Sequence, residues 1–153
     1  MTRLDRPAYS FRDDPAVPDF PDDRPLIVFD GVCVLCSGFA GFVLRHDRNE
    51  AFLFASAQSP LGQALYRHYG LDPDDFETNL VIDQGVANAK LGTVSVVGRR
   101  LGGVWRAAAL ADWVPEPLSG WLYDLIASNR YRLFGKRETC MVPPADQKDR
   151  FYV

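Results

Sequence analysis

Cys33 and Cys36 stand two residues apart in "FDGVCVLC" and are the side chains of this chain best suited to covalent chemistry. A thiolate can attack a disulfide, and a second thiol within reach can resolve the mixed disulfide that forms. Two intervening residues let the sulfurs meet without moving the backbone. Asp30, three residues before Cys33, adds a carboxylate. It can take up or relay the proton of Cys36 during exchange. Its purely structural role would be to bond turn amides in the Asp-Gly break. Close to Cys33 it would also oppose a thiolate there.

The elements around the pair give it its chemical meaning. "LIVFD" (26–30) is a short apolar run of the kind that forms a buried strand, and Gly31 ends it. Leu35, Phe39, Phe42 and Val43 recur at helical spacing up to about His46. The thiols therefore open a helix, where unpaired N–H groups and the macrodipole favour a thiolate and draw its pKa below about 8.5. Cys33 is expected to be the nucleophile and Cys36 the resolving thiol. The "VL" between them offers no cation, so the helix must supply most of the activation. Gly38 and Gly41 weaken this helix, by about 1 kcal/mol each relative to Ala, and are read as places where another backbone packs close.

Further along, "EAFLFASA" (50–57) reads as a strand parallel to the first. "SPLGQALYRHYG" (59–70) is punctuated as a helix by Ser59, Pro60 and Gly70. "NLVID" and "VANAK" form a hairpin about Gln84-Gly85. "TVSVVGRRL" leans to helix through Val94, Val97 and Leu101, and "VWRAAALADWV" is helical. Leu118, Trp121, Leu122, Leu125 and Ile126 mark the clearest amphipathic helix. The order is β-α-β-α-β-β-α with added C-terminal helices. The expected fold is α/β and thioredoxin-like: a central mixed four-stranded sheet with flanking helices and extra C-terminal helices.

A length of 153 residues with 47% hydrophobic side chains fills one core without disulfides. Residues 1–24, rich in Pro, Asp and Arg, read as an extended or partly disordered lead-in that Tyr9, Phe11 or Phe20 could anchor. Residues 25–153 form the domain with its helical extension. On this reading, removing 1–24 changes stability little. The net charge of −3 gives no drive toward nucleic acid or an anionic membrane. No run approaches the roughly 20 apolar residues of a membrane span, and no signal-peptide core is present. The expected setting is the cytoplasm, where an odd cysteine count argues against a disulfide scaffold.

Other readings compete. A zinc module would use Cys33, Cys36 and Cys140 with His46 or Asp30, but structural zinc usually takes a second close cysteine pair and none exists. An aspartyl phosphotransferase at Asp30 needs a second carboxylate two residues on, where the chain has Val32. A non-catalytic interaction domain is the third. Cys140 is either a further redox thiol, favoured as thiolate by Lys136 and Arg137, or a packing residue. Arg130, Tyr131, Arg132, Phe134, Lys136 and Arg137 interleave bases with rings, yet read better as a helix terminus with Tyr131, Leu133 and Phe134 in the core. An anionic thiol such as glutathione could use those cations. His46 and His68 read as surface helix ends.

"FDGVCVLC", with Asp30, Cys33 and Cys36 so spaced, resembles the signature of the DCC family of thiol-disulfide oxidoreductases. "LGGVWRAAALADWVPEPLSGWLYDLIASNRYRLFGKRETC" is similar to that family's C-terminal half, so the likeness covers residues 26 to about 143. It implies a thioredoxin-like fold and dithiol chemistry at Cys33 and Cys36, on a protein or small-molecule disulfide. No bound cofactor is needed, and glutathione or thioredoxin would serve as electron partner. Ordinary thioredoxins place a cis-proline before the third central strand; here Thr78 and Asn79 stand there.

Overall fold

The computed structural model describes residues 2–4, 6–48, 50–72, 74, 79–89, 91–135 and 145–152. Its strands are β1 (Thr2–Arg3), β2 (Leu26–Phe29), β3 (Leu53–Ser56), β4 (Leu80–Asp83), β5 (Val86–Ala89) and β6 (Phe151–Tyr152). They lie side by side in the order β1-β5-β4-β2-β3-β6. The four central strands are the mixed sheet expected of a thioredoxin-like fold. β2 runs parallel to β3 and antiparallel to β4, and β4 pairs antiparallel with β5. Two-residue strands extend both edges.

All four residues of β2 are buried because both faces of the sheet are covered. Leu26 and Val28 point into one apolar cluster with Leu53, Leu65, Leu80 and Ile82, whereas Ile27 and Phe29 point into the other with Phe54, Val81 and Val97. This is why the strand reads as a continuous apolar run instead of an alternating one. Helix α1 (Val34–His46) contributes Ala40 and Val43 to the second cluster, and α2 (Pro60–His68) contributes Leu61, Ala64 and Leu65 to the first. Ser59 caps α2 by accepting from Gly62 N at 3.0 Å. The hairpin turn places Gln84 (φ 51°) and Gly85 (φ 78°) in the left-handed region, as a mirror-image turn requires.

The "TVSVVGRRL" segment is helical, within α3 (Leu91–Leu101). Residues Gly103–Trp113 coil as a 3-10 helix, entered through two left-handed glycines, Gly102 and Gly103. Helices α4 (Glu116–Ser128) and α5 (Arg130–Phe134) follow. One expectation needs correction. Gly38 and Gly41 have no close backbone, since an added Cβ meets nothing within 4 Å; tight backbone approaches are instead at Gly62, where Ala57 Cα would lie 2.8 Å away, and at Gly98, against Trp105 O. The apolar face of α4 is turned outward, with Leu118, Trp121, Leu122, Leu125 and Ile126 all exposed.

The lead-in packs on the sheet. β1 pairs with β5. Phe11 and Val17 are 3% and 8% exposed, as buried as the strands they cover. The Phe20 ring lies 4.9 Å from that of Phe11, tilted by 32°. Tyr9 N donates to Gly85 O at 2.9 Å, and its ring lies where a side chain at residue 85 would project. Ser10 Oγ is 2.8 Å from His68 Nε2, and His68 Nδ1 donates to Asp14 Oδ2 at 2.8 Å. This bond is the first cause holding the Asp14 carboxyl below its ordinary range. His68 is thus a buried tie to the lead-in and not a surface helix end.

At the other end of the chain, Arg150 is 2% exposed. Its guanidinium donates to Asp47 Oδ2 and, at 3.1 Å, to Phe52 O. Asp47 also accepts from Ala51 N and Phe52 N, each at 2.9 Å. Removing one member of a buried pair strands the other charge, which costs about 3–5 kcal/mol. Arg150→Met is therefore expected to lower unfolding free energy by about that much in urea titration; a loss under about 1 kcal/mol would show that the pair does not hold β6 in place.

Candidate active site

Asp30, Gly31 and Val32 leave the end of β2 in a turn. Val32 N donates to Asp30 Oδ1 at 3.1 Å and Cys33 N to Asp30 O at 3.3 Å. This delivers Cys33 to the N-cap of α1 in extended conformation (φ −78°, ψ 124°). Its side chain accepts from Cys36 N at 3.4 Å. The N-cap position usually holds a Ser, Thr, Asp or Asn oxygen. Here a sulfur occupies it, so the backbone amide that would bond an oxygen stabilises a thiolate. Cys36 sits one turn further in. Both residues are buried, at 0% and 7% exposure.

Asp30 is 1% exposed and accepts from several donors. Besides Val32 N, Gln58 Nε2 donates to Oδ1 at 2.6 Å and Tyr131 Oη donates to Oδ2. Gln58 also accepts from Gly31 N at 3.1 Å and Ser56 Oγ at 2.6 Å, so the turn after β2 and the turn after β3 are pinned together. Tyr131 brings α5 onto the site, and Gly135 O, just past α5, accepts from Val34 N at 3.4 Å. The C-terminal helices thereby lie over the first turn of α1, beside the thiols.

The structure brings Asp30, Cys33 and Cys36 together. Gln58 and Tyr131 are additions that residue patterns missed. Gln58 stands in a loop without a pattern, and the residue pattern places Tyr131 in the core; the hint is the Asn-Arg-Tyr-Arg segment. Leu133 and Phe134 are exposed and not core. His46 is remote, at the far end of a 13-residue helix, about 20 Å away. Its Nδ1 is 2.8 Å from Phe42 O and its ring packs on Trp105. Cys140, Lys136, Arg137 and Thr78 lie outside the described residues, as does the side chain of Arg130. Among the described residues, no three His, Cys, Asp or Glu side chains converge as a metal site, and no helix is long and apolar enough to cross a membrane.

Because Tyr131 ties α5 to the turn carrying Cys33, Tyr131→Phe should cost about 1–2 kcal/mol and speed alkylation of the thiols by iodoacetamide. Unchanged stability and unchanged alkylation would mean that the bond to Asp30 does not hold α5 over the pair.

Comparison with known proteins agrees with this geometry. The family described as DCC1-like thiol-disulfide oxidoreductase matches residues 27–136. "Uncharacterized protein YuxK" of Bacillus subtilis is 39% identical over 126 residues, covering 82% of this chain and 92% of that protein. "DCC family protein At1g52590, chloroplastic" of Arabidopsis thaliana is 32% identical over 120 residues, 78% of this chain and 70% of that one. No solved structure matches. With its dithiol at the helix start and the match running through Tyr131, the chain belongs to the DCC1-like family of thiol-disulfide oxidoreductases.

Proposed function

We propose that the protein reduces disulfides in the cytoplasm through the Cys33–Cys36 pair, with Cys33 attacking and Cys36 resolving. The observation that carries this is the Cys36 N–H aimed at Cys33 Sγ at 3.4 Å, at the start of α1. A sulfur there is stabilised as thiolate by the backbone amide. Asp30 takes up the proton of Cys36 when the mixed disulfide is resolved. The substrate gains two electrons and two protons, and the pair becomes a disulfide. An external thiol then returns the pair to the dithiol, so no bound cofactor is required.

The test is a redox titration of the purified protein against glutathione and dithiothreitol buffers, read by thiol labelling. The expected potential lies in the reducing half of the range between about −270 and −120 mV. The apolar "VL" between the thiols supplies no cation to stabilise the reduced form further. A value above about −180 mV would reassign the protein as an oxidant or isomerase. A pair that resists oxidation would leave a non-catalytic domain.

A further inference from the structure

A cavity of about 150 Å³ opens beside the dithiol, lined by Cys36, Phe39, Asn79, Thr93, Val94 and Tyr123. Helix α1 supplies the cysteine and the phenylalanine, α3 the threonine and valine, and α4 the tyrosine, while Asn79 stands just before β4. Larger clefts lie against the lead-in and beside Trp105, but no described cysteine lines them. The cavity's size suits one ring or branched group of about six heavy atoms. None of the described lining side chains is charged, so a carboxylate or ammonium seated there loses its hydration and meets hydrogen-bonding groups but no counter-charge among them.

We propose that this cavity seats the organic arm of a low-molecular-weight disulfide, and that the arm is an uncharged aromatic or branched apolar group. This rests on the dithiol reading above. The thiols are 0% and 7% exposed under the C-terminal helices, so a folded protein cannot lay its own disulfide against them without displacing α5. A slim substrate enters by way of the cavity as far as Cys36, and Cys33, buried beside it, must turn toward the cavity to react. The Cys33 thiolate attacks one sulfur of R–S–S–R; that S–S bond breaks, a Cys33–S–S–R bond forms, and RS⁻ leaves and takes a proton. The retained R group sits against Cys36. Cys36 gives up its proton and attacks Cys33 Sγ, releasing the second RS⁻, which is protonated in turn. The pair is oxidised by two electrons and the substrate is reduced to two thiols. Glutathione disulfide, whose arms carry carboxylates and ammonium groups, is a poor fit.

The test uses the full-length reduced protein and measures single-turnover oxidation by 4,4′-dithiodipyridine, by its dianionic counterpart 5,5′-dithiobis(2-nitrobenzoate), by glutathione disulfide and by hydroxyethyl disulfide. Each rate is divided by that of dithiothreitol with the same reagent, which removes leaving-group differences. The normalised rate for dithiodipyridine should exceed those for the two charged disulfides by about tenfold or more. Val94 is 36% exposed at the cavity rim, so Val94→Glu adds a charge there without disturbing the core. It should lower the ratio of the dithiodipyridine rate to the hydroxyethyl disulfide rate about tenfold. Normalised rates within threefold of one another, or an unchanged ratio in Val94→Glu, would overturn the seat while leaving dithiol exchange intact. Failure of hydroxyethyl disulfide to oxidise the pair would overturn the dithiol reading and the seat with it.

Discussion

Cys33→Ser is expected to bring disulfide reduction down to the buffer background, whereas Cys36→Ser is expected to accumulate a mixed disulfide on Cys33. A serine hydroxyl is not ionised near neutral pH and forms no disulfide, so the first variant lacks its attacking atom. The second retains the attacking atom and the amide at residue 36 that activates it, because that N–H belongs to the backbone. What it loses is the thiol that expels the bound substrate. Intact-mass spectrometry after reaction with hydroxyethyl disulfide reads both outcomes directly. An adduct on the Cys33→Ser protein, with none on Cys36→Ser, would reverse the assignment. That reversal would mean access outweighs activation, since Cys36 borders the cavity while Cys33 is the more deeply covered of the two.

The dithiol was legible in the sequence because everything that makes it chemical is local. The apolar run, the Asp-Gly break and the periodic stretch after it occupy about two dozen consecutive residues, and backbone sterics turn that pattern into a strand, a turn and a helix start. The partners of Asp30 were not legible for the opposite reason. Gln58 and Tyr131 reach it across 28 and 101 residues of chain, and Arg150 reaches Asp47 across 103. Periodicity reports which face of an element is apolar and says nothing of what that face meets. Helix α4 shows this limit: its stripe from Leu118 to Ile126 was read correctly as amphipathic, yet it faces outward. The histidines show it again. Each ends a helical stretch, but one ties down the lead-in and the other packs on Trp105.

Deletion of residues 1–24 should abolish cooperative unfolding or lower its free energy by about 5 kcal/mol or more, contrary to what composition alone leads one to expect. The segment has no periodic apolar pattern because it supplies isolated plugs instead of an element face. Phe11 and Val17 fill the same cluster as Leu26, Val28, Leu65 and Leu80. Losing a buried Phe costs about 3–5 kcal/mol and burying a Val is worth about 1.5–3 kcal/mol, before Tyr9 and Phe20 are counted. The β1–β5 pairing would be lost as well. His68 would lose both Ser10 and Asp14. Against a total stability of about 5–15 kcal/mol, such a loss decides whether the domain folds. Urea denaturation followed by tryptophan fluorescence and far-ultraviolet circular dichroism measures it. Phe11→Ala provides the graded version, with an expected loss of about 3–5 kcal/mol and full length retained. If the truncated chain unfolds as cooperatively as the full one, and Phe11→Ala costs less than about 1 kcal/mol, the lead-in is a dispensable cover. The cluster of Leu26, Val28 and Leu80 must then close without it.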